Sequence, residues 1–235
     1  MKSKLPVLIT DNVYKSYQLG KTEIEVLKGI DFEIFEGEIV AVTGPSGVGK
    51  STLLHILGVL DHPSSGNLYI DQEDVFQLDN NKLANYRNKT VGFVFQFHHL
   101  LQEFSALENV MLPGMIADTP KQELQDHAEH LLAEVGLTDR KHHRPSEMSG
   151  GEQQRVAVAR ALINSPRIIL ADEPSGNLDR SSAGSLHELF WKLNEKFQQT
   201  LVIVTHNLEL ATNADRVIEL YDGQVKTNTL NHLKK

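Results

Sequence analysis

Hydrophobic positions along the 235-residue chain fall into two rhythms. Short runs of strand length come first: Val7 to Asp11, Ile24 to Leu27, Phe32 to Phe35 and Ile39 to Thr43, with Gly37 between the last two. A glycine-rich turn follows, then an apolar helical segment from about Lys50 to Leu60, stopped by Asp61-His-Pro63. Asn67 to Ile70 and Val91 to Phe95 predict two further strands. From Gln96 to about Pro166 the spacing turns helical, as in Leu124, Ala128, Leu131, Leu132 and Val135. Beyond Pro166 the types alternate: a strand at Ile168 to Ala171, a helix near Ser181 to Lys196, a strand at Leu201 to Thr205, a short helix near Leu208 to Thr212 and a strand at Val217 to Leu220. Such alternation predicts a parallel sheet with helical crossovers, so the fold class is α/β. The middle block reads as a helical insertion, which divides the chain into a core of 1–95 and 166–235 and a helical subdomain of 96–165. The polar tail, Thr227 to Lys235, is expected to fray.

Composition narrows the function classes. Hydrophobic residues make up 40% and charged residues 23%, values that suit a packed domain. Lys plus Arg is 23 against 31 Asp plus Glu, a net charge of −8, which argues against broad nucleic-acid binding but leaves room for a local anion site. Cysteine is absent, which removes disulfides, thiolate zinc sites and cysteine nucleophiles. No apolar run approaches the roughly 20 residues of a membrane span. The start, Met1-Lys-Ser-Lys-Leu-Pro6, lacks the apolar core of a signal peptide. The expectation is a chain that stays where it is made and meets a membrane only through partners.

Gly44-Pro-Ser-Gly-Val-Gly-Lys-Ser51 matches G-x-x-x-x-G-K-[ST] and sits between a predicted strand and a predicted helix. Glycines allow the backbone of Gly44, Pro45, Ser46, Gly47, Val48 and Gly49 to fold into a cup around phosphate oxygens, with N–H donors from all of these but Pro45, and the helix N-terminus adds positive charge. Lys50 in the first helical turn opposes the helix dipole, a cost that a β/γ-phosphate would offset. Ser51 or Thr52 offers a hydroxyl near Mg²⁺, and the motif favours Ser51. The plain alternative is a glycine-rich turn with a solvated lysine. The glycine spacing disfavours a Rossmann dinucleotide site.

The strand at Ile168 ends in Asp172-Glu173-Pro174. Ligands of parallel sheets gather at the carboxyl ends of strands, which places Asp172 to hold Mg²⁺ through its water shell and Glu173 to accept a proton from an attacking water. An acidic turn that merely ends a strand is the alternative. Leu201 to Thr205 delivers His206 to the same kind of edge, to orient the water or touch the γ-phosphate. Met148-Ser-Gly-Gly-Glu-Gln153 opens another helix; Ser149 and Glu152 fit a capping box, while Gly150 and Gly151 leave an open N-terminus suited to phosphate. One nucleotide needs one ordinary cradle, so the second cup is expected to serve a nucleotide held by another copy.

Together these stretches resemble the ATP-binding subunit of an ABC transporter over nearly the whole chain. Gly44 to Ser51 is similar to its Walker A loop, Gln96 to its Q-loop, Ser149-Gly-Gly-Glu-Gln153 to its signature, Asp172-Glu173 to its Walker B pair, Ser175-Gly-Asn-Leu-Asp179 to its D-loop, and His206 to its switch histidine. Tyr17 matches the aromatic residue that stacks on adenine. The resemblance implies a P-loop NTPase (RecA-like) core with N-terminal antiparallel strands and an inserted helical subdomain. It implies ATP and Mg²⁺ as cofactors, Gln96 and Asp179 at the nucleotide, and Ser51, Gln96 and Asp172 at the metal. It also implies a head-to-tail dimer with a second copy, in which each ATP lies between one Walker A loop and the other signature. Met148 and Glu152 depart from the usual Leu and Gln of the signature.

Within the family, Phe95 to Phe104, Ala106-Leu-Glu-Asn-Val110 and His143-Arg-Pro-Ser-Glu147 resemble the lipoprotein-releasing group, with Gln102 in place of an expected Pro. This implies integral membrane permease subunits as partners, lipoproteins as indirect cargo, no nucleic acid, and a peripheral place on the cytoplasmic face of the bacterial inner membrane. In that family the segment after Gln96 docks the membrane subunit; a partly buried helical-subdomain surface is the alternative for Phe97 to Leu101. A MacB-type or cell-division-type relative with another cargo, and a soluble non-transport ABC ATPase, are the competing readings. Zinc at His98-His99 or His142-His143 is disfavoured because adjacent histidines project differently.

Overall fold

A computed structural model of the chain describes residues 5–231; the readings made for residues 1–4 and 232–235 lie outside them. In chain order the elements are β1 (Pro6–Leu19), β2 (Thr22–Phe35), β3 (Ile39–Thr43), α1 (Lys50–Leu57), β4 (Ser65–Ile70), β5 (Glu73–Asp74), α2 (Asn80–Thr90), β6 (Val91–Phe95) and α3 (Ala106–Ile116). There follow α4 (Lys121–Glu134), α5 (Gly150–Leu162), β7 (Ile168–Asp172), α6 (Arg180–Phe197), β8 (Thr200–Val204), α7 (Leu208–Asn213), β9 (Arg216–Tyr221) and β10 (Gln224–Leu230). Two compact units emerge: Met1–Ala84 with Gln198–Lys235, and Asn85–Phe197.

In the first unit β1 and β2 form a long antiparallel hairpin, extended by β4 and β5 in the order β2-β1-β4-β5. Both hairpin strands run well beyond the predicted cores, because register shifts between Thr10 and Val13 and between Lys15 and Ser16 break the alternation that marks a strand in sequence. The unit's other strands centre on β3, which pairs in parallel with β8 on one side and β9 on the other. Four residues of β3 and all five of β8 are buried, which explains their continuous apolar runs. Each such aliphatic side chain adds about 1.5–3 kcal/mol by leaving water. The buried Arg216 is matched by Glu38, whose two carboxylate oxygens accept from its guanidinium at 2.7 Å each.

Thr227 to Leu230 do not fray: they belong to β10, which pairs antiparallel with β9. Asp222 (φ 47°) and Gly223 (φ 74°) both take the left-handed conformation of a two-residue hairpin turn. Six of the seven β10 residues are exposed, so the strand carries no apolar pattern to announce itself.

In the second unit β6 and β7 pair in parallel, with Phe95 opposite Asp172. Gly92 permits the tight packing of α5 on β6, since a Cβ there would stand 2.4 Å from the Ala161 carbonyl oxygen. Around this pair lie α3, α4, α5 and α6, whose apolar faces include Val110, Leu131, Val158 and Phe190, all buried. The helix α2, unanticipated because Leu83 is the one apolar residue buried along its length, with Thr90 buried at its end, is started by Asp79, which accepts from the Asn81 and Lys82 amides.

Candidate functional site

The glycine-rich loop leaves β3 and turns into α1. Gly44, Gly47 and Gly49 have φ of 142°, 77° and 105°, values that L side chains rarely adopt. α1 follows Gly49 with no side-chain cap and no acidic residue in its first turn, so no side-chain cap occupies its leading N–H groups. Lys50 Nζ donates to the Gly44 and Pro45 carbonyls at 2.9 Å each, holding a cation at the start of the loop. Ser51 is exposed and Thr52 half-buried. β8 brings a further group to the same edge: Val42 of β3 pairs with Val204 of β8, so Gly44 and His206 each follow two residues after a matched pair. His206 is exposed. Thr205 Oγ1 accepts from the Asn207 amide, and Asn207 Oδ1 from that of Leu210, fixing the backbone on its far side. Tyr17, also in this unit, is 41% exposed.

In the second unit the register Phe95–Asp172 puts Gln96 and Glu173 directly after a paired position. Gln96 Nε2 donates to Asn177 Oδ1 at 3.0 Å and Asn177 Nδ2 donates back to the Gln96 carbonyl at 3.3 Å. Gly176 makes this possible, since a Cβ would come within 3.0 Å of Gln96 Nε2. Glu173 has φ 44°, a strained conformation for a non-glycine residue, and its carbonyl accepts from the Gly176 amide at 2.9 Å. The turn thus fixes a half-buried carboxylate at the strand end. Asp179 Oδ1 accepts from the amides of Ser181 and Ser182 and the Ser181 hydroxyl, so within one chain it caps α6. Its carboxyl is held well below the usual range, chiefly by the Ser182 and Ser181 side chains.

The capping box expected at α5 is present: Ser149 Oγ accepts from the Glu152 amide at 3.2 Å and Glu152 accepts from the Ser149 amide at 2.8 Å. The amides of Gly150 and Gly151 are not part of that box. Glu152, the departure from the usual signature, adds a negative charge close to the cup. Arg140 offsets it through an Nε–Oε1 bond of 3.0 Å. The Glu152 carboxyl falls to about 2, first through the Ser149 amide and then through Arg140.

The segment after Gln96 divides. Leu100 is buried and belongs to the core, whereas Phe97 (65% exposed) and Leu101 (44%) face outward. Asn109, fully buried on α3, donates to the carbonyls of Leu101, Phe104 and Ser105 and accepts from the Leu101 amide. Arg160 of α5 donates to the carbonyls of His98 and His99. The loop is therefore rigidly backed while its apolar side chains stay outside. Sequence reasoning assigned no role to Asn109, Asn177 or Arg140, although Asn109 lies inside the quoted Ala106-Leu-Glu-Asn-Val110 and Asn177 inside the quoted D-loop. Among the described residues no helix is long and apolar enough to cross a membrane, and no cluster of three or more His, Asp or Glu side chains is arranged to hold a metal.

Residues 27–176 match the family profile described as ABC transporter. A protein of Geobacter metallireducens named lipoprotein-releasing system ATP-binding protein LolD is 52% identical, over 96% of this chain and 99% of its own. One of the same name from Bacteroides thetaiotaomicron is 55% identical over 86% of this chain and 93% of its own. A dimeric structure of the bacterial ABC transporter cassette MJ0796 superposes with a TM-score of 0.87 at 41% identity, covering 96% of this chain and 99% of that one. A post-hydrolysis dimer of the same cassette, bound to ADP and phosphate, gives 0.86 at 40% identity, again over 96% of this chain and 99% of that one.

Proposed function

The chain belongs to the ABC transporter ATP-binding family, and from that premise we propose that it powers a lipoprotein-releasing transporter as one of two ATP-hydrolysing subunits. The observation that carries the nucleotide reading is the contrast between helix starts. α3 and α5 each begin with a Ser–Glu capping box. α1 begins bare, behind three left-handed glycines and beside Lys50. A lysine in a first helical turn costs about 0.5 kcal/mol against the dipole, and a bound triphosphate reverses that sign.

In this reading the backbone N–H groups of Gly44 and of Ser46 to Ser51 bind the phosphates together with the Lys50 ammonium, Pro45 shapes the turn without a donor of its own, Thr52 supports them, and Tyr17 stacks on adenine. Ser51, Gln96 and Asp172 are hard oxygen donors of the kind that suits Mg²⁺, and would hold it. When bound, that ion neutralises charge on the β- and γ-phosphate oxygens. Glu173 takes a proton from the attacking water as its oxygen bonds to the γ-phosphorus. The bond to the bridging oxygen breaks, and ADP and phosphate leave. His206 orients the water. Ser149, Gly150, Gly151 and Asp179 serve the nucleotide held by a second, head-to-tail copy. The core is taken as 1–95 with 166–235, and 96–165 as the signature subdomain.

LolC/LolE-like permease subunits would dock on Phe97 and Leu101, holding the protein at the cytoplasmic face of the inner membrane, and the cargo reading follows the names of the relatives. Co-purification from detergent-solubilised membranes tests it. Two integral partners with large periplasmic domains are expected; a single exporter-type partner, or none, contradicts it.

A further inference from the structure

Tyr17 is built into a small network that none of the motifs contains. Its phenol donates to Asp61 Oδ2 at 2.9 Å. The other carboxylate oxygen of Asp61 accepts from Lys15 Nζ at 2.8 Å and from the His62 amide at 2.8 Å. Lys15 Nζ also donates to the His62 carbonyl at 2.7 Å and stands 4.8 Å over the centroid of the Tyr17 ring. Lys15 and Tyr17 are two apart on β1, and the contact of the ammonium with the ring puts both side chains on one side of the strand. Lys15 is only 9% exposed, whereas the ring it covers is 41% exposed.

Two consequences follow from this geometry. The phenol bond holds the far end of the ring in place, and the ammonium against one face resists rotation of its plane, so less ordering is left for a ligand to impose. The ammonium occupies one face of the ring, so a flat partner can stack only on the other. Asp61 also lies just past α1, its amide bonded to the His55 carbonyl at 3.3 Å. The helix that begins at the phosphate loop therefore carries the anchor of the aromatic ring at its other end. We propose that Asp61 and Lys15 are positioning residues for base recognition, Asp61 by fixing the Tyr17 ring and Lys15 by covering one face, so that adenine stacks on the opposite face. This rests on the reading of Tyr17 as the adenine platform.

Titration calorimetry of the full chain with ATP and with inorganic tripolyphosphate, each with Mg²⁺, tests it. Tyr17→Ala probes the platform; Asp61→Ala and Tyr17→Phe probe the network. Loss of the fixed stacking geometry should weaken ATP about three- to tenfold in Asp61→Ala, the range of an aromatic contact, with tripolyphosphate affinity unchanged. Tyr17→Phe should weaken ATP to the same extent, and adding Asp61→Ala to it should cost nothing more. Asp61→Asn, which keeps an acceptor for the phenol, should restore most of the affinity. If Asp61→Ala does not fold, Tyr17→Phe decides alone. Normal ATP affinity in both, with weak binding by Tyr17→Ala, overturns the positioning role and leaves the platform standing. Normal ATP affinity in Tyr17→Ala overturns the platform itself. An equal loss of tripolyphosphate in Asp61→Ala moves the effect to the phosphate loop and also refutes the proposal.

Discussion

Alanine at Gly44 and at Gly47 should act through different physics, although the two stand three residues apart in one loop. At Gly47, φ is 77° and a Cβ would meet nothing within 4 Å. The cost is conformational only, about 1 kcal/mol for an L residue in the left-handed region. At Gly44, φ is 142° and a Cβ would stand 2.4 Å from the carbonyl oxygen of Leu220 on β9. That is about 1 Å inside ordinary contact, and the oxygen belongs to a strand hydrogen-bonded to β3. Backbone strain and overpacking together come to about 4 kcal/mol. For a chain of this size, about 3 °C of melting temperature is lost per kcal/mol, which predicts drops of about 3 °C for Gly47→Ala and about 12 °C for Gly44→Ala. Differential scanning calorimetry with and without ATP reads both. The Gly47 variant should keep a thermal shift with ATP, and the Gly44 variant should lose it because the loop's origin has moved. Equal drops in the two variants, or a Gly44 variant that melts like the parent, would refute the reasoning.

If the signature serves the opposite nucleotide, Ser149→Arg should abolish turnover by bulk at the α5 start while the monomer still binds ATP through Gly44 to Ser51; loss of monomer binding would place Ser149 in the same cradle as Lys50. Replacing Phe97 and Leu101 together with Ser should reduce co-sedimentation with membranes that carry the permease subunits by about 2 kcal/mol of association, with an unchanged melt because both are exposed; undiminished recruitment sinks the docking role. Glu152 has a carboxyl depressed from 4.5 to about 2 in the fold, so its stabilising contribution is complete above pH 4.5 and is lost as pH falls toward 2. Acid unfolding of Glu152→Gln should therefore be shallower across that window than that of the parent, and parallel curves would contradict the assignment.

Elements buried on both faces were legible because a continuous apolar run is itself the signal: Val91 to Phe95 agrees in full with β6, and Ile39 to Thr43 with β3. Elements that bury little were not. β10 and α2 are polar along nearly their whole length and are set by a hairpin turn and an Asp cap. The same division runs through the candidate site. The phosphate loop, the Asp172-Glu173 pair and the signature are contiguous, and their chemistry can be named from residue order alone. The partners that hold Tyr17 and Gln96 are remote: Asp61 lies 44 residues from Tyr17, and Asn177 lies 81 from Gln96. Nothing local marks those pairings, since they depend on which strand ends the fold aligns. Leu100 and Leu101 show the limit at single-residue scale, adjacent in sequence yet on opposite sides of the surface.

The central claim is that ATP is bound by paired copies and cleaved with Glu173 as the base. Glu173→Gln keeps the side chain's size and its place in the turn but removes the proton acceptor. Size-exclusion chromatography of that variant with MgATP, alongside a phosphate-release assay, is the most direct measurement. The account predicts that the 26.3 kDa chain shifts to twice its mass with ATP retained and no phosphate released. Rapid phosphate release, or ATP held by a species that stays monomeric, would contradict it.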